Sequence, residues 1–312
     1  MAGKSVAVIG ECMVELQKTS AGMASAFGGD TLNTALYLSR LFRQNVQDYD
    51  VSYFTALGRD TLSEEMLVEW LFEGINVDHV CRYEDKLPGL YMIENQPCGE
   101  RDFYYWREDA AVREWLSRED PDQLFEALKA YDVIYLSGIT LAIQTPEQSH
   151  TLMKLLERLK AQGCLIAFDT NYRPSLWMTT ALAQQRFNQL YALADIALLT
   201  FDDEQMLFGD ASIEETLARL SEFSIDQLIV KCGAQGCLVV HNGAQQWVST
   251  NAVDDVVDTT AAGDSFNAGY LYQWLTSGDS IKAASAGHQL AGTVIQYKGA
   301  IIAPDDMPLI TI

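Results

Sequence analysis

The chain opens on a short apolar run, "SVAVIG", and returns to runs of the same kind at "DVSYFTALG", "YDVIYLSG", "CLIAFDTN", "ADIALLT" and "DQLIVKCG". Runs of this length, rich in β-branched residues and bounded by glycine or polar turn residues, predict buried strands. Between them the period changes to that of a helix. "TLNTALYLSRLF" sets Leu32, Leu36 and Leu41 near helical spacing, and "TLSEEMLVEWLFEG" puts Met66, Leu67, Trp70 and Leu71 on one stripe, with Thr61 or Ser63 as cap and Gly74 as stop. A further helix has Pro146 near its start and Gly163 at its end, and another is expected near Ile213 to Ser221. This alternation predicts an α/β fold, a central and mostly parallel sheet with helices on both faces, whose ligands sit beyond the carboxyl ends of the strands.

Two stretches break the rhythm. Cys237 to Ser249 reads as a hairpin turning at Asn242-Gly243, and Gly89 to Asp109, "GLYMIENQPCGERDFYYWRED", alternates apolar with polar residues and is dense in tyrosine and arginine. The second reads either as an ordinary hairpin packed on one face or as a lid, and the lid is preferred because such an insertion needs something to cover. With a segment near residues 11–20 it would form a small β lid on a single domain spanning residues 1–312, since no repeat, low-complexity tract or linker divides the chain.

Composition narrows the partners. The chain carries 43 acidic against 21 basic residues, a net charge of -22, so its field repels phosphate backbones and anionic membrane surfaces. Neither nucleic acid nor a membrane is expected as a partner, and an anionic substrate would need individually placed arginines. The six cysteines include no CxxC pair and the four histidines show no metal-ligand spacing, which favours a reducing cytoplasm and argues against a zinc site. No stretch approaches 18 uninterrupted apolar residues, and the first apolar run has the length of a strand rather than of a signal peptide.

The candidate chemistry lies in "VVDTTAAGDSFNAGYL", Val256 to Leu271. If a helix begins near Gly263, the N–H groups of Ala262, Gly263 and Asp264 are unpaired donors at its positive end, and the small residues Ala261, Ala262 and Gly263 let an anion approach the backbone. Asp264 would then sit beside a phosphate, ionised at neutral pH by the helix end. An acid there is repulsive unless it has a task, and the fitting task is that of a general base taking the proton of a hydroxyl that attacks a phosphoryl group. The competing reading is a helix-capping acid. Other nucleotide signatures fail: "AGKS", Ala2 to Ser5, precedes the first strand and lacks the earlier glycine of a phosphate loop, and "GECMVEL" lacks the glycines of a dinucleotide fingerprint.

These residues resemble the ribokinase-like (PfkB) carbohydrate kinases. "DTTAAGD", Asp258 to Asp264, is similar to their C-terminal signature with Ala261 in place of a glycine, "GGDTLN", Gly28 to Asn33, to their N-terminal one, and "IVKCGAQGC" to their nucleotide loop. The resemblance implies a ribokinase-like fold, ATP and Mg²⁺ as cofactors, and Asp264 as base over an anion hole at Ala261, Ala262 and Gly263. It assigns Gly29, Asp30, Asn33, Tyr91, Tyr105, Arg107 and Arg173 to the sugar, with Tyr91, Tyr105 and Arg107 closing from the lid. It assigns Asn171, Arg173, Lys231, Gly233, Gly236, Gly263 and His288 to the nucleotide. The family's N-x-x-E segment corresponds to "FDDE", with Phe201 in place of the asparagine and Glu204 left for the metal. Segments such as "GERDFYYWREDAA" and "FDTNYRPSLW" are similar to the members that phosphorylate the 6-hydroxyl of 2-keto-3-deoxygluconate. A sugar acid suits Arg107 and Arg173 in so acidic a chain; a neutral sugar such as fructose, or sugar sensing without catalysis, are the alternatives. Exposed lid edges would also suit a homo-oligomer.

Overall fold

The computed structural model describes residues 4–19, 22–45, 49–95 and 101–311. Ala2, Gly3, Ser20 and Cys98, which enter the expectations above, lie outside the described residues. The apolar runs form the strands of one large sheet: β1 (Lys4–Ile9), β4 (Tyr49–Leu57), β5 (Val80–Arg82), β8 (Val133–Ser137), β9 (Leu165–Asp169), β10 (Ile196–Thr200), β11 (Gln227–Lys231), β12 (Cys237–His241) and β13 (Ala244–Val248). A second, smaller sheet holds β2 (Met13–Thr19), β3 (Gly22–Gly28), β6 (Gly89–Asn95) and β7 (Arg101–Trp106).

The large sheet runs in the order β13-β12-β11-β10-β9-β8-β1-β4-β5 and is parallel except for the β12–β13 hairpin at its edge. Alternate residues of β1 serve opposite faces, Val6 and Val8 packing with Tyr37, Trp70 and Tyr270, and Ala7 and Ile9 with Trp115, Phe168 and Tyr191. That two-sided burial is why the strands read as unbroken apolar runs. The chain builds outward from β1 in one direction through β4 and in the other through β8, so the strand order reverses between β1 and β8, and a crevice is expected at their carboxyl ends.

Six helices matter below: α1 (Asp30–Gln44), α2 (Thr61–Phe72), α3 (Pro146–Ala161), α4 (Phe201–Phe208), α5 (Ala262–Ser277) and α6 (Ser280–Val294). α3 follows its expected start, with Thr145 capping and Pro146 first. α2 departs twice. Its cap is Asp60, which accepts the N–H groups of Leu62 and Ser63 at 3.1 Å, rather than Thr61 or Ser63. Met66 and Trp70 are buried, but Leu71 is 56% exposed, because one residue beyond Trp70 rotates about 100° off the buried stripe. The hairpin turn is as expected, Asn242 and Gly243 both taking positive φ, 51° and 75°. Among the described residues no helix is long and apolar enough to cross a membrane.

The small sheet, in the order β3-β2-β6-β7, contains the two expected lid segments and adds β3. Tyr91 faces Tyr105 across the β6–β7 register, with ring centroids 5.9 Å apart. Two of the four connections between the sheets pass through Glu11 and Arg107, just outside β2 and β7.

Candidate active site

The N-termini of α1 and α5 meet at this crevice. α5 starts at Ala262 with Ala261 in the cap position, so Asp264 is the third helical residue and not the cap. Its Oδ2 accepts a hydrogen bond from Asn33 Nδ2 at 2.8 Å, and Thr34 Oγ1 donates to the Asp264 carbonyl at 3.2 Å. The Ala262 N–H is already taken by the Thr259 carbonyl at 3.2 Å, so this residue contributes its small size rather than a donor. The N–H groups of Gly263 and Asp264 find no acceptor among the described residues, which leaves an anion site one donor narrower than the sequence suggests.

In the ligand-free protein the ionised form expected of Asp264 is opposed by its surroundings. Burial, then the charge of neighbouring Asp30, push its pKa well above the ordinary carboxylate value, against the Asn33 hydrogen bond and the Lys231 charge. Desolvation is the largest of these effects. Asp30 is raised as well, chiefly by burial. Its Oδ2 accepts from Asn171 Nδ2 at 2.8 Å, and Asn171 holds a positive φ of 31° just past β9. Asn171, expected at the nucleotide, therefore braces Asp30 and is not among the residues lining the cavity described next. Gly29 is required sterically, since a Cβ there would stand 2.3 Å from the Glu11 carbonyl oxygen.

A cavity of about 510 Å³ opens beside the anion site. Lys231, Gly233, Gly236, Gly263 and His288, all expected near the nucleotide, line it together with Phe266. Gly233 and Gly236 take positive φ, 53° and 116°, and a Cβ on Gly236 would meet the Val248 carbonyl oxygen at 2.3 Å. His288 packs edge-on against Phe266, its centroid 4.9 Å away, and burial lowers its pKa, which keeps the ring neutral. Buried Lys231 donates to Asp169 Oδ1 at 3.2 Å and to Asn267 Oδ1 at 3.0 Å.

On the lid side, Tyr91 is buried and its hydroxyl donates to Glu15, whereas Tyr105 is 52% exposed. Arg107 is buried in an ion pair with Glu11, and Glu11 Oε1 and Arg107 Nε are left without hydrogen-bond partners among the described residues. Arg173 is exposed, and its guanidinium donates to the Tyr172 carbonyl at 3.1 Å.

Glu204 is not placed for a metal. Its carboxylate accepts from the Tyr191 hydroxyl at 2.7 Å and from Arg219 at 2.5 Å, and burial pushes its pKa up to about 7. On α4, Asp202 lines the cavity, while Asp203, one residue before Glu204, lies beside the carboxyl end of β9, with Oδ2 accepting from the Thr170 hydroxyl at 3.3 Å and the Tyr172 N–H at 3.1 Å. Adjacent helical residues point about 100° apart, so only one of the two can face the site. Among the described residues no three His, Cys, Asp or Glu side chains form a metal cluster.

Sequence reasoning missed Asp169, Asn267 and Glu11. Asn267 stands three residues beyond Asp264 on the same helix, a spacing that shares a face and could have been used. Asp169 and Glu11 follow apolar strand runs at carboxyl ends, which is where the fold expectation itself placed ligands.

A model of the pfkB family carbohydrate kinases matches residues 3–307. The 2-dehydro-3-deoxygluconokinase of Dickeya dadantii is 46% identical over 312 residues, covering 99% of this chain and 100% of its own length. That of Escherichia coli K12 is 45% identical over 309 residues, covering 98% and 99%. Among solved structures, a 2-dehydro-3-deoxygluconokinase of Thermotoga maritima superposes with a TM-score of 0.83 at 19% identity, over 96% of this chain and 95% of that one. A fructokinase of Xylella fastidiosa with bound ATP gives 0.82 at 20%, over 98% and 95%. The fold is thus the ribokinase-like one expected, and the chain belongs to the pfkB family of carbohydrate kinases.

Proposed function

We propose that the chain transfers the γ-phosphoryl group of ATP to the 6-hydroxyl of 2-keto-3-deoxygluconate, giving the 6-phospho sugar acid and ADP. The observation that carries the reaction is the Asn33–Asp264 hydrogen bond, which fixes a buried carboxyl on the same helix turn as two uncommitted amides. The full-length relatives named as 2-dehydro-3-deoxygluconokinases support the substrate. Asp264 takes the proton of the 6-hydroxyl while that oxygen bonds to the γ-phosphorus and the bond to the ADP oxygen breaks. The raised pKa suits a base, because a more basic carboxylate holds the proton more strongly. Charge spreading over the transferring oxygens meets the N–H groups of Gly263 and Asp264. Gly29, Asp30 and Asn33 hold sugar hydroxyls, with Asn171 bracing Asp30. Tyr91, Tyr105, Arg107 and Arg173 close on the sugar acid, the arginines matching its carboxylate.

Mg²⁺ fits as the accompanying ion, since it keeps several waters and takes few protein ligands. The second oxygen of Asp203 has no partner among the described residues, so Asp203 replaces Glu204 as the acid that would hold it. Bound with ATP, the ion would neutralise phosphate charge. A second copy pairing through the lid belongs to the same reading, because Phe103, Tyr104 and Trp106 are 41%, 43% and 58% exposed.

The test is ADP release with Mg-ATP over 2-keto-3-deoxygluconate, gluconate, fructose and ribose, run beside Asp264→Asn. Turnover of the keto-deoxy acid alone, lost in the variant, is expected. Preference for fructose or ribose would overturn the substrate, and turnover of none would favour a sugar sensor.

A further inference from the structure

Lys231 stands out among the charged groups of the crevice. It is 7% exposed, at the carboxyl end of β11, and among the described residues no other lysine or arginine hydrogen-bonds Asp30, Asp169, Asp203 or Asp264. An ammonium has three N–H donors and no acceptor. Two are committed, to Asp169 Oδ1 at 3.2 Å and Asn267 Oδ1 at 3.0 Å, which clamp the side chain from β9 and α5. The third has no acceptor named among the described residues. The ammonium also lies beside the Gly263 turn: a Cβ built there would stand 3.7 Å from Lys231 Nζ, the one atom within 4 Å apart from the turn's own neighbours and helix backbone. The open face of the Gly263 turn is therefore bounded by this ammonium and by little else. Lys231 and Gly263 also line the same 510 Å³ cavity.

We propose that Lys231 is a catalytic residue, its ammonium donating its third hydrogen bond to an oxygen of the phosphoryl group in transfer as that group passes the Gly263 turn. The inference rests on the kinase reading and adds to it. Expecting Lys231 beside the nucleotide makes it a neighbour of ATP in every state; the clamp makes it a fixed charge aimed where negative charge must pass. In the step itself the bond from the sugar oxygen to phosphorus forms, the bond from phosphorus to the ADP oxygen breaks, and the hydroxyl proton goes to Asp264. Lys231 keeps its protons and supplies charge alone. Held by two partners before substrate arrives, it needs no reorganisation during transfer, the condition under which such a donor counts most. The bland alternative is that Lys231 merely neutralises Asp169 and ties β9 to α5.

The two are separated by measuring kcat, both KM values and melting temperature for Lys231→Met and Lys231→Arg. Equilibrium binding of ATP and of ADP with aluminium fluoride plus 2-keto-3-deoxygluconate, by calorimetry, is compared alongside. For Lys231→Met a kcat loss of about 100-fold is expected, with affinity for the aluminium fluoride complex falling in parallel and affinity for ATP changing less than about threefold. Equal losses for ATP and for the mimic, or an unchanged kcat, would overturn the proposal. If Lys231→Met fails to fold, Lys231→Arg decides: kept charge with displaced donors should lower mimic affinity more than ATP affinity, and equal effects would reject the idea. Wild-type protein that turns over no sugar would instead reject the kinase reading and this inference with it, whereas an active wild type beside an unimpaired variant rejects the inference alone.

Discussion

At the scale of single residues, Asp264, the proposed base, stands where its charge is disfavoured. Burial and the Asp30 charge raise its pKa, so the folded protein binds a proton there more tightly than the unfolded chain does. A carboxyl of this kind contributes nothing to stability below its unfolded pKa and weakens the fold as pH rises above it. Asp264→Asn should therefore lower kcat by about 1,000-fold. The same variant should raise the ligand-free melting temperature at neutral pH, an advantage that disappears near about pH 3, where the native carboxyl is protonated in both states. Parallel rate and calorimetric scans check both; a lower melting temperature at neutral pH would mean the helix end stabilises the charge after all. The wild-type kcat/KM profile should also rise on its acid side above the ordinary carboxylate range. Glu204 and Asp203 give a second contrast. Glu204→Ala leaves Arg219 with Asp210 as its remaining partner, so a stability loss of about 2 kcal/mol is expected, below the range for a wholly orphaned buried charge. Asp203→Asn should instead raise the Mg²⁺ concentration needed for half-maximal rate, with a smaller change in urea midpoint. Legibility in the sequence divides along the same line. The residue types and spacing of "DTTAAGD" were readable because they are local, whereas the choice between Asp203 and Glu204 depends on which way one helix is turned, which neither neighbour's identity reveals.

At the scale of elements, the site is the meeting of two helix starts from opposite ends of the chain. Asn33 and Thr34 of α1 hold Asp264 of α5, so the position of the proposed base depends on how α1 enters. Gly29 sets that entry through its contact with the Glu11 backbone. Gly29→Ala should force the two backbones apart, displacing Asp30 and Asn33 together, and lower kcat/KM by about 100-fold, the loss attached to a shift near 1 Å in a positioned group. Steady-state kinetics with a thermal melt provide the check, and a variant with unchanged kinetics would show that α1 is set by its packing instead. The buried strands were readable because burial on both faces leaves an unbroken apolar signature, and α3 because its start carries both Thr145 and Pro146. β3 was not: five of its seven residues are exposed, so "GMASAFG" carries neither an apolar run nor an alternation with a buried face. The extra lid strand is held instead by register with β2, from Met13 opposite Gly28 to Thr19 opposite Gly22.

At the scale of the whole molecule, a net charge of -22 surrounds a site proposed to take an anionic sugar and a nucleotide. The nearby cations divide in their duties. Arg107 is already paired with Glu11, and Lys231 with Asp169, so the exposed Arg173 is left as the cation that an arriving carboxylate meets first. The long-range field should then oppose encounter with a sugar acid, while the short-range groups favour it once it has arrived. Salt separates the two, because the Debye length falls from about 30 Å at 0.01 M to about 8 Å at 0.15 M, screening the distant acids before the contacts inside the crevice. At saturating Mg-ATP, kcat/KM for 2-keto-3-deoxygluconate should rise by about threefold over that range, with kcat nearly constant. Arg173→Met should lower kcat/KM at every salt concentration and steepen the rise, since the repulsive field would act without its local counterweight. The measurement is a set of initial-rate series in sodium chloride on both proteins. A wild-type kcat/KM that falls with salt would show that the arginines already dominate the potential at the distance of encounter, and the bulk acidity would then have no part in how this site meets its substrate.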